Sequence, residues 1–121
     1  MKPLLSKDLK KFCSRFANFV DAEIRSFEVL SKDIVKAVIA TQDGARDFDW
    51  ITVTLEFSNI SDAKILKDDK LSLLDMADGL TILSQDNLFA FGVGDYKNIS
   101  GIKNASCYII SSSIKYEEGQ F

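Results

Sequence analysis

Hydrophobic and polar positions alternate along this chain with two different periods, and the change of period divides it. Leu9, Phe12, Cys13, Phe16 and Ala17 recur at i, i+3, i+4, i+7 and i+8, an apolar stripe on one face of a helix. Ser6 stands where an N-cap belongs, Asp8 lies in the first turn and Arg15 in the last, as the helix dipole favours. The spacing predicts one amphipathic helix of about twelve residues, lying on a sheet. From Asp21 onward the period falls to two. Between Trp50 and Phe57, the residues Ile51, Val53, Leu55 and Phe57 share one face while Thr52, Thr54 and Glu56 share the other, which predicts a half-buried antiparallel strand. Weaker strands are expected at 21–30 and 34–41, joined by the turn Ser31-Lys32-Asp33. In the first of them Ala22 and Ile24 have one parity and Phe27 and Val29 the other, so a bulge belongs near Arg25–Ser26.

Later strands are expected at 63–66, 80–84, 88–94 and 106–117, with Ser84-Gln85-Asp86-Asn87 as a hairpin turn and Tyr108, Ile110, Ser112, Ile114 and Tyr116 on one face of the last. The polar stretch Asp95–Asn104 leaves room for a short irregular strand. Gly92-Val93-Gly94 ends a strand with no helix pattern after it, which reads as a bulge or turn rather than a phosphate loop. Together these elements predict an α+β fold. One N-terminal helix packs on a mainly antiparallel, twisted sheet, curled into a half-barrel or closed into a sandwich. A chain of 121 residues without repeat or linker reads as a single domain, 1–121.

Composition narrows the chemistry. The chain has no histidine, which removes Ser-His-Asp and Cys-His catalysis, imidazole metal sites and histidine pH switches. Its two cysteines, Cys13 and Cys107, are too few for a structural zinc site and read as buried thiols. Ser111-Ser112-Ser113 lacks any nucleophile context. Charges at Lys7, Asp8, Lys10 and Lys11 interrupt what a signal peptide needs to be apolar, and no stretch approaches the roughly 18 apolar residues that span a bilayer. The expectation is a cytoplasmic protein without a membrane partner, a metal or a cofactor. A net charge of −3 argues against nucleic acid.

That charge is unevenly placed. Residues 1–40 hold eight Lys/Arg against five Asp/Glu, and residues 41–121 hold seven against thirteen, so −3 divides into +3 and −6. Most of the later acids fall in expected turns. Asp43, Asp47, Asp49, Asp68, Asp69, Asp75 and Asp78, with Phe48 as an aromatic anchor, are therefore candidate partner-binding residues, an acidic rim that would steer a basic protein. Carboxylate catalysis needs two acids across a cleft, which spacing alone does not show for pairs such as Asp47 with Asp49, and the loop around Gly44 lacks the closing glutamate of a calcium site.

Two segments carry a family resemblance. Phe19, Asp21, Ala22, Glu23 and Ile24, followed by Leu55, Phe57, Ile60 and Asp62, fit the pattern F-H-D-A-E-[IV] and then [LV]-x-F-x-x-[IV]-x-D. The pattern resembles a family of small bacterial immunity-like proteins of polymorphic toxin systems, with Val20 where the family has histidine. The resemblance implies a non-catalytic protein that occludes a cognate toxin. Read physically, the motif is architectural: Phe19 packs the helix on the sheet, Ala22 and Ile24 face the core, and Asp21 accepts backbone N–H bonds where helix passes to strand. The competing expectation is a small-molecule or metal-binding β-rich module with a pocket lined by Trp50, Phe89, Phe91 and Tyr108. A monomer or a homodimer is compatible with either.

Overall fold

The fold was obtained as a computed structural model that describes residues 1–121. A short strand β1 (Lys2–Pro3) precedes a 3-10 turn (Ser6–Asp8) and helix α1 (Leu9–Arg15). Strands β2 (Glu23–Ser31), β3 (Ile34–Asp43) and β4 (Asp49–Lys64) follow, then a 3-10 segment (Asp68–Leu73), β5 (Leu80–Gln85), β6 (Leu88–Val93), helix α2 (Ile99–Ile102) and β7 (Tyr108–Gln120). The strands form one antiparallel sheet in the order β2-β3-β4-β7-β6-β5, with β1 on the edge of β7 beside Lys115 and Tyr116. This is the expected α+β architecture.

The sheet curls. Phe27 on β2 and Phe91 on β6 have three strands between them in the order, yet their rings meet at 6.3 Å. The concave side is filled by α1 and the turn after it: Phe12, Phe16 and Phe19 form one ring cluster with centroid distances of 5.2 to 6.2 Å. They press on Ile39, Val53, Leu55 and Phe57, all fully buried. Each such side chain contributes about 1.5–3 kcal/mol on burial, which makes this face the main source of stability. The convex face stays wet for a reason visible in the register. Glu28, Lys36, Glu56 and Lys115 stand opposite one another across β2, β3, β4 and β7, a ladder of alternating charge.

Several local expectations are met. The register of β2 shifts between Ile24 and Ser26, which makes Arg25 the bulge. Asp86 and Asn87 both have positive φ, 53° and 63°, the two-residue turn whose twist suits a hairpin. Cys13 and Cys107 are free and buried, and burial pushes both thiols up to about 11.

Others are corrected. Residues 63–66 are not a separate strand: β4 runs on from Asp49 to Lys64, bending at Asn59 (φ 56°) and at a register shift between Ile60 and Asp62. Ile109, not Ile110, joins Ile114 in the main core, while Ile110 packs with Ala90 and Ile102 in a smaller cluster. Five positions separate Ile109 from Ile114, so the inward face changes over along the serine run, opposite the bend in β4. Residues 99–102 are a helical turn capped by Asn98, which accepts from the Gly101 N–H at 2.7 Å. Helix α1 has seven residues, and no Ser6 or Asp8 side chain caps it.

Candidate functional site

The hairpin between β3 and β4 stands at one end of the sheet, beside the C-terminus of α1. Along β3 the inward positions are Val35, Ala37, Ile39, Thr41 and Asp43, so the alternation that builds the core carries a carboxylate to its last inward position. Asp43 is 0% exposed. It accepts from Arg15 Nε at 2.8 Å, from Arg15 Nη2 at 2.7 Å and from the Ala45 N–H at 2.9 Å, and Arg46 lies 3.4 Å away. Arg15 also pairs with Glu118, and Arg46 Nη2 lies 3.9 Å from the same carboxylate. Two guanidiniums and two carboxylates thus clamp α1, the hairpin and β7 together. The Arg15 bonds outweigh burial and hold the Asp43 carboxyl below the usual range, while Arg15 itself is raised by the same partners. Gly44 is required here: a Cβ would stand 2.9 Å from the Arg15 carbonyl oxygen.

Beyond the clamp, the tip is presented to solvent. Asp47 and Phe48 both adopt left-handed backbone, φ 54° and 64°, uncommon for a residue as bulky as phenylalanine. The conformation is held by the Phe48 N–H donating to the Asp43 carbonyl at 2.9 Å and by Gln42 Nε2 donating to the Phe48 carbonyl at 3.2 Å. Phe48 is 63% exposed, with Asp47 and Asp49 exposed on either side. Nearby, Trp50 and Phe121 meet at 5.6 Å, and Arg25 covers the Phe121 ring at 4.4 Å. Both aromatics remain exposed.

The predicted acids do not form one rim. Asp43 is withdrawn into the clamp and presents nothing to a partner, because strand parity, not turn chemistry, decides its side. Asp47 and Asp49 remain at the tip. Asp68 and Asp75 line a hollow of about 520 Å³ with Asp21, Glu23 and Arg25, whereas Asp78 lines another of about 510 Å³ with Lys10 and Asp95. Asp69 is exposed in the 3-10 segment. No group of three or more Cys, Asp or Glu side chains is placed to hold a metal ion.

The motif residues divide by chemistry. Phe19, Ala22, Ile24, Leu55 and Phe57 are buried and Ile60 is half-buried against the same core, as the architectural reading requires. Asp21 differs. Its side chain is exposed, and its backbone N–H donates to the Met76 carbonyl at 3.0 Å. Glu23 is exposed, 3.9 Å from Arg25. Asp62 accepts from the Tyr108 hydroxyl at 3.1 Å, and burial together with that carboxylate raises the phenol. Trp50, Phe89, Phe91 and Tyr108 do not share a pocket: Phe91 is in the main core, Tyr108 packs on the small cluster, and Trp50 is at the hairpin end.

Two features escaped the sequence. Ala17, Asn18 and Phe19 follow α1 with φ of 52°, 53° and 59°, a left-handed turn in residues other than glycine. Gly79 (φ 70°) presses on it so closely that a Cβ would lie 2.1 Å from the Asn18 carbonyl oxygen. Between α1 and the hairpin lies a cavity of about 870 Å³, floored by Phe12, Phe16, Thr41 and Tyr116 and edged by Phe48. The parity of β3 signalled Thr41 and Asp43; nothing in the residue order signals the left-handed turn.

Compared with family models, curated proteins and solved structures, the chain finds no match.

Proposed function

We propose that this protein is a non-catalytic binding module that recognises a basic protein surface through the β3–β4 hairpin. It would act as an immunity protein acts, by occluding a cognate toxin in the cytoplasm. The observation that carries the reading is Phe48: a large aromatic ring held 63% exposed by a left-handed backbone and flanked by Asp47 and Asp49. A large exposed aromatic ring is suited to anchor an interface, and the two flanking acids would add on-rate toward a basic partner. Trp50 and Phe121 extend the apolar surface around the same end. The clamp beneath supports the reading too, since Arg15, Asp43 and Glu118 immobilise the hairpin before any partner arrives. The immunity role itself rests on the motif resemblance.

The test is to mix the purified protein with the product of the neighbouring gene at moderate salt and follow the complex by size exclusion. A stable complex, and survival of cells expressing both proteins, is the expected outcome. Reversing Asp47 and Asp49 to lysine slows association without altering the unfolding midpoint. Absence of a complex and of protection would overturn the assignment, and an unchanged on-rate would remove the two acids from it.

A further inference from the structure

The cavity between α1 and the hairpin has the size of a small-molecule site, about 870 Å³ against the few hundred to a thousand of typical ligand pockets. Its floor is apolar, made by the Phe12, Phe16 and Tyr116 rings. Of its polar side chains, Arg15 and Gln42 are already engaged by the protein, while Lys11, Thr41 and Tyr116 are not. Thr41 is 2% exposed and lines the cavity, and its hydroxyl bonds to no other side chain or backbone group. No fully buried polar side-chain atom lacks a partner, so the Thr41 oxygen must open into this space. The Tyr116 hydroxyl is likewise unpaired. Lys11 forms no ion pair, and Arg15 spends Nε and Nη2 on Asp43 and Glu118, leaving both Nη1 hydrogens free. Asp8 is the acid of the lining, and Asp43 and Glu118 already compensate Arg15 from behind it. From Asp8 to Arg15 the helix gives the groove a length of about 10 Å.

We propose that this cavity binds an amphipathic monocarboxylate, its apolar body on the aromatic floor and its carboxylate among the free donors of Lys11, Arg15, Thr41 and Tyr116. A carboxylate accepts only, which suits the unpaired Lys11 ammonium and the Thr41 and Tyr116 hydroxyls. An alcohol of the same length offers a poorer acceptor, and an amine would face Lys11 and Arg15. The proposal does not require the partner reading, although Phe48 stands at the edge of the cavity as well as at the hairpin tip.

The probe is decanoate, titrated calorimetrically into the full chain beside decanol and decylamine. Decanoate binds saturably with one site, and the other two bind at least about tenfold more weakly. Lys11→Gln weakens decanoate about tenfold and removes the preference over decanol, whereas Thr41→Val, which keeps the shape of the side chain, weakens it about fivefold. Ala45→Trp, on the exposed rim, obstructs the mouth of the cavity and abolishes binding while circular dichroism stays unchanged. No saturable binding of decanoate, equal affinity for the three probes, or binding that survives Ala45→Trp would each overturn the proposal.

Discussion

Replacing Arg15 with leucine at the clamp leaves the Asp43 carboxylate buried with only the Ala45 N–H and Arg46 to oppose its charge. Two charge-assisted bonds, at 2.7 and 2.8 Å, are lost together. Removing one partner of a fully buried pair costs about 3–5 kcal/mol. Arg15 keeps 28% of its side chain exposed and Arg46 stays in place, so the expected loss is discounted to about 2–3 kcal/mol. Urea unfolding at pH 7 should show this as a lower midpoint at constant slope. Converting Asp43 to leucine as well should recover most of the loss, because an apolar pair carries no uncompensated charge.

The sign with pH follows from the carboxylate. Its folded pKa is depressed below the unfolded value of about 3.9, so its stabilisation is complete above that value and disappears as pH falls through the folded one. The difference between wild type and Arg15→Leu should therefore shrink below about pH 4. A loss under about 1 kcal/mol at pH 7, or a loss that stays constant into acid, would refute the buried-clamp reasoning.

Other outcomes follow from the same fold. Gly79→Ala places a methyl against the Asn18 carbonyl at a positive φ and should destabilise by about 2–3 kcal/mol in thermal unfolding, while a neutral result would contradict the left-handed turn at 17–19. Cys13 and Cys107, buried and pushed up to about 11, should react with a thiol reagent at pH 8 only as fast as the protein opens, and reaction at the rate of a free thiol would contradict their placement. Asp62→Ala should lower the Tyr108 pKa toward 10 in an ultraviolet titration, because the carboxylate contributes to its rise.

The sheet was legible wherever one face is dry. Ile51, Val53, Leu55 and Phe57 alternate because every second position enters the core, and the parity change at Arg25 is the bulge itself. Legibility failed where the face changes within a strand. The serines at 111–113 carry no apolar signal to mark the change, so Ile109 and Ile110 exchange roles. It failed again where a polar residue continues an inward row. Asp43 sits in a glycine-bearing turn and reads as solvated until the parity of β3 is extended through Thr41. The exposed tip was half legible. Composition named Asp47, Phe48 and Asp49, but the left-handed backbone that turns the ring outward depends on bonds from Gln42 to Phe48 and from Phe48 to Asp43. The cavity was invisible because it lies between a helix and a hairpin more than twenty residues apart in the chain.

Calorimetric titration of the neighbouring gene product into wild type and Phe48→Ala decides whether the hairpin tip is the interface. The ring makes no core contact whose loss would unfold the chain, so the variant keeps its fold and the measurement reports binding alone. At least about a thirtyfold loss of affinity is expected, the roughly 2 kcal/mol of a hot-spot aromatic. An affinity unchanged by Phe48→Ala, in a complex that still forms, would place the interface elsewhere on the molecule.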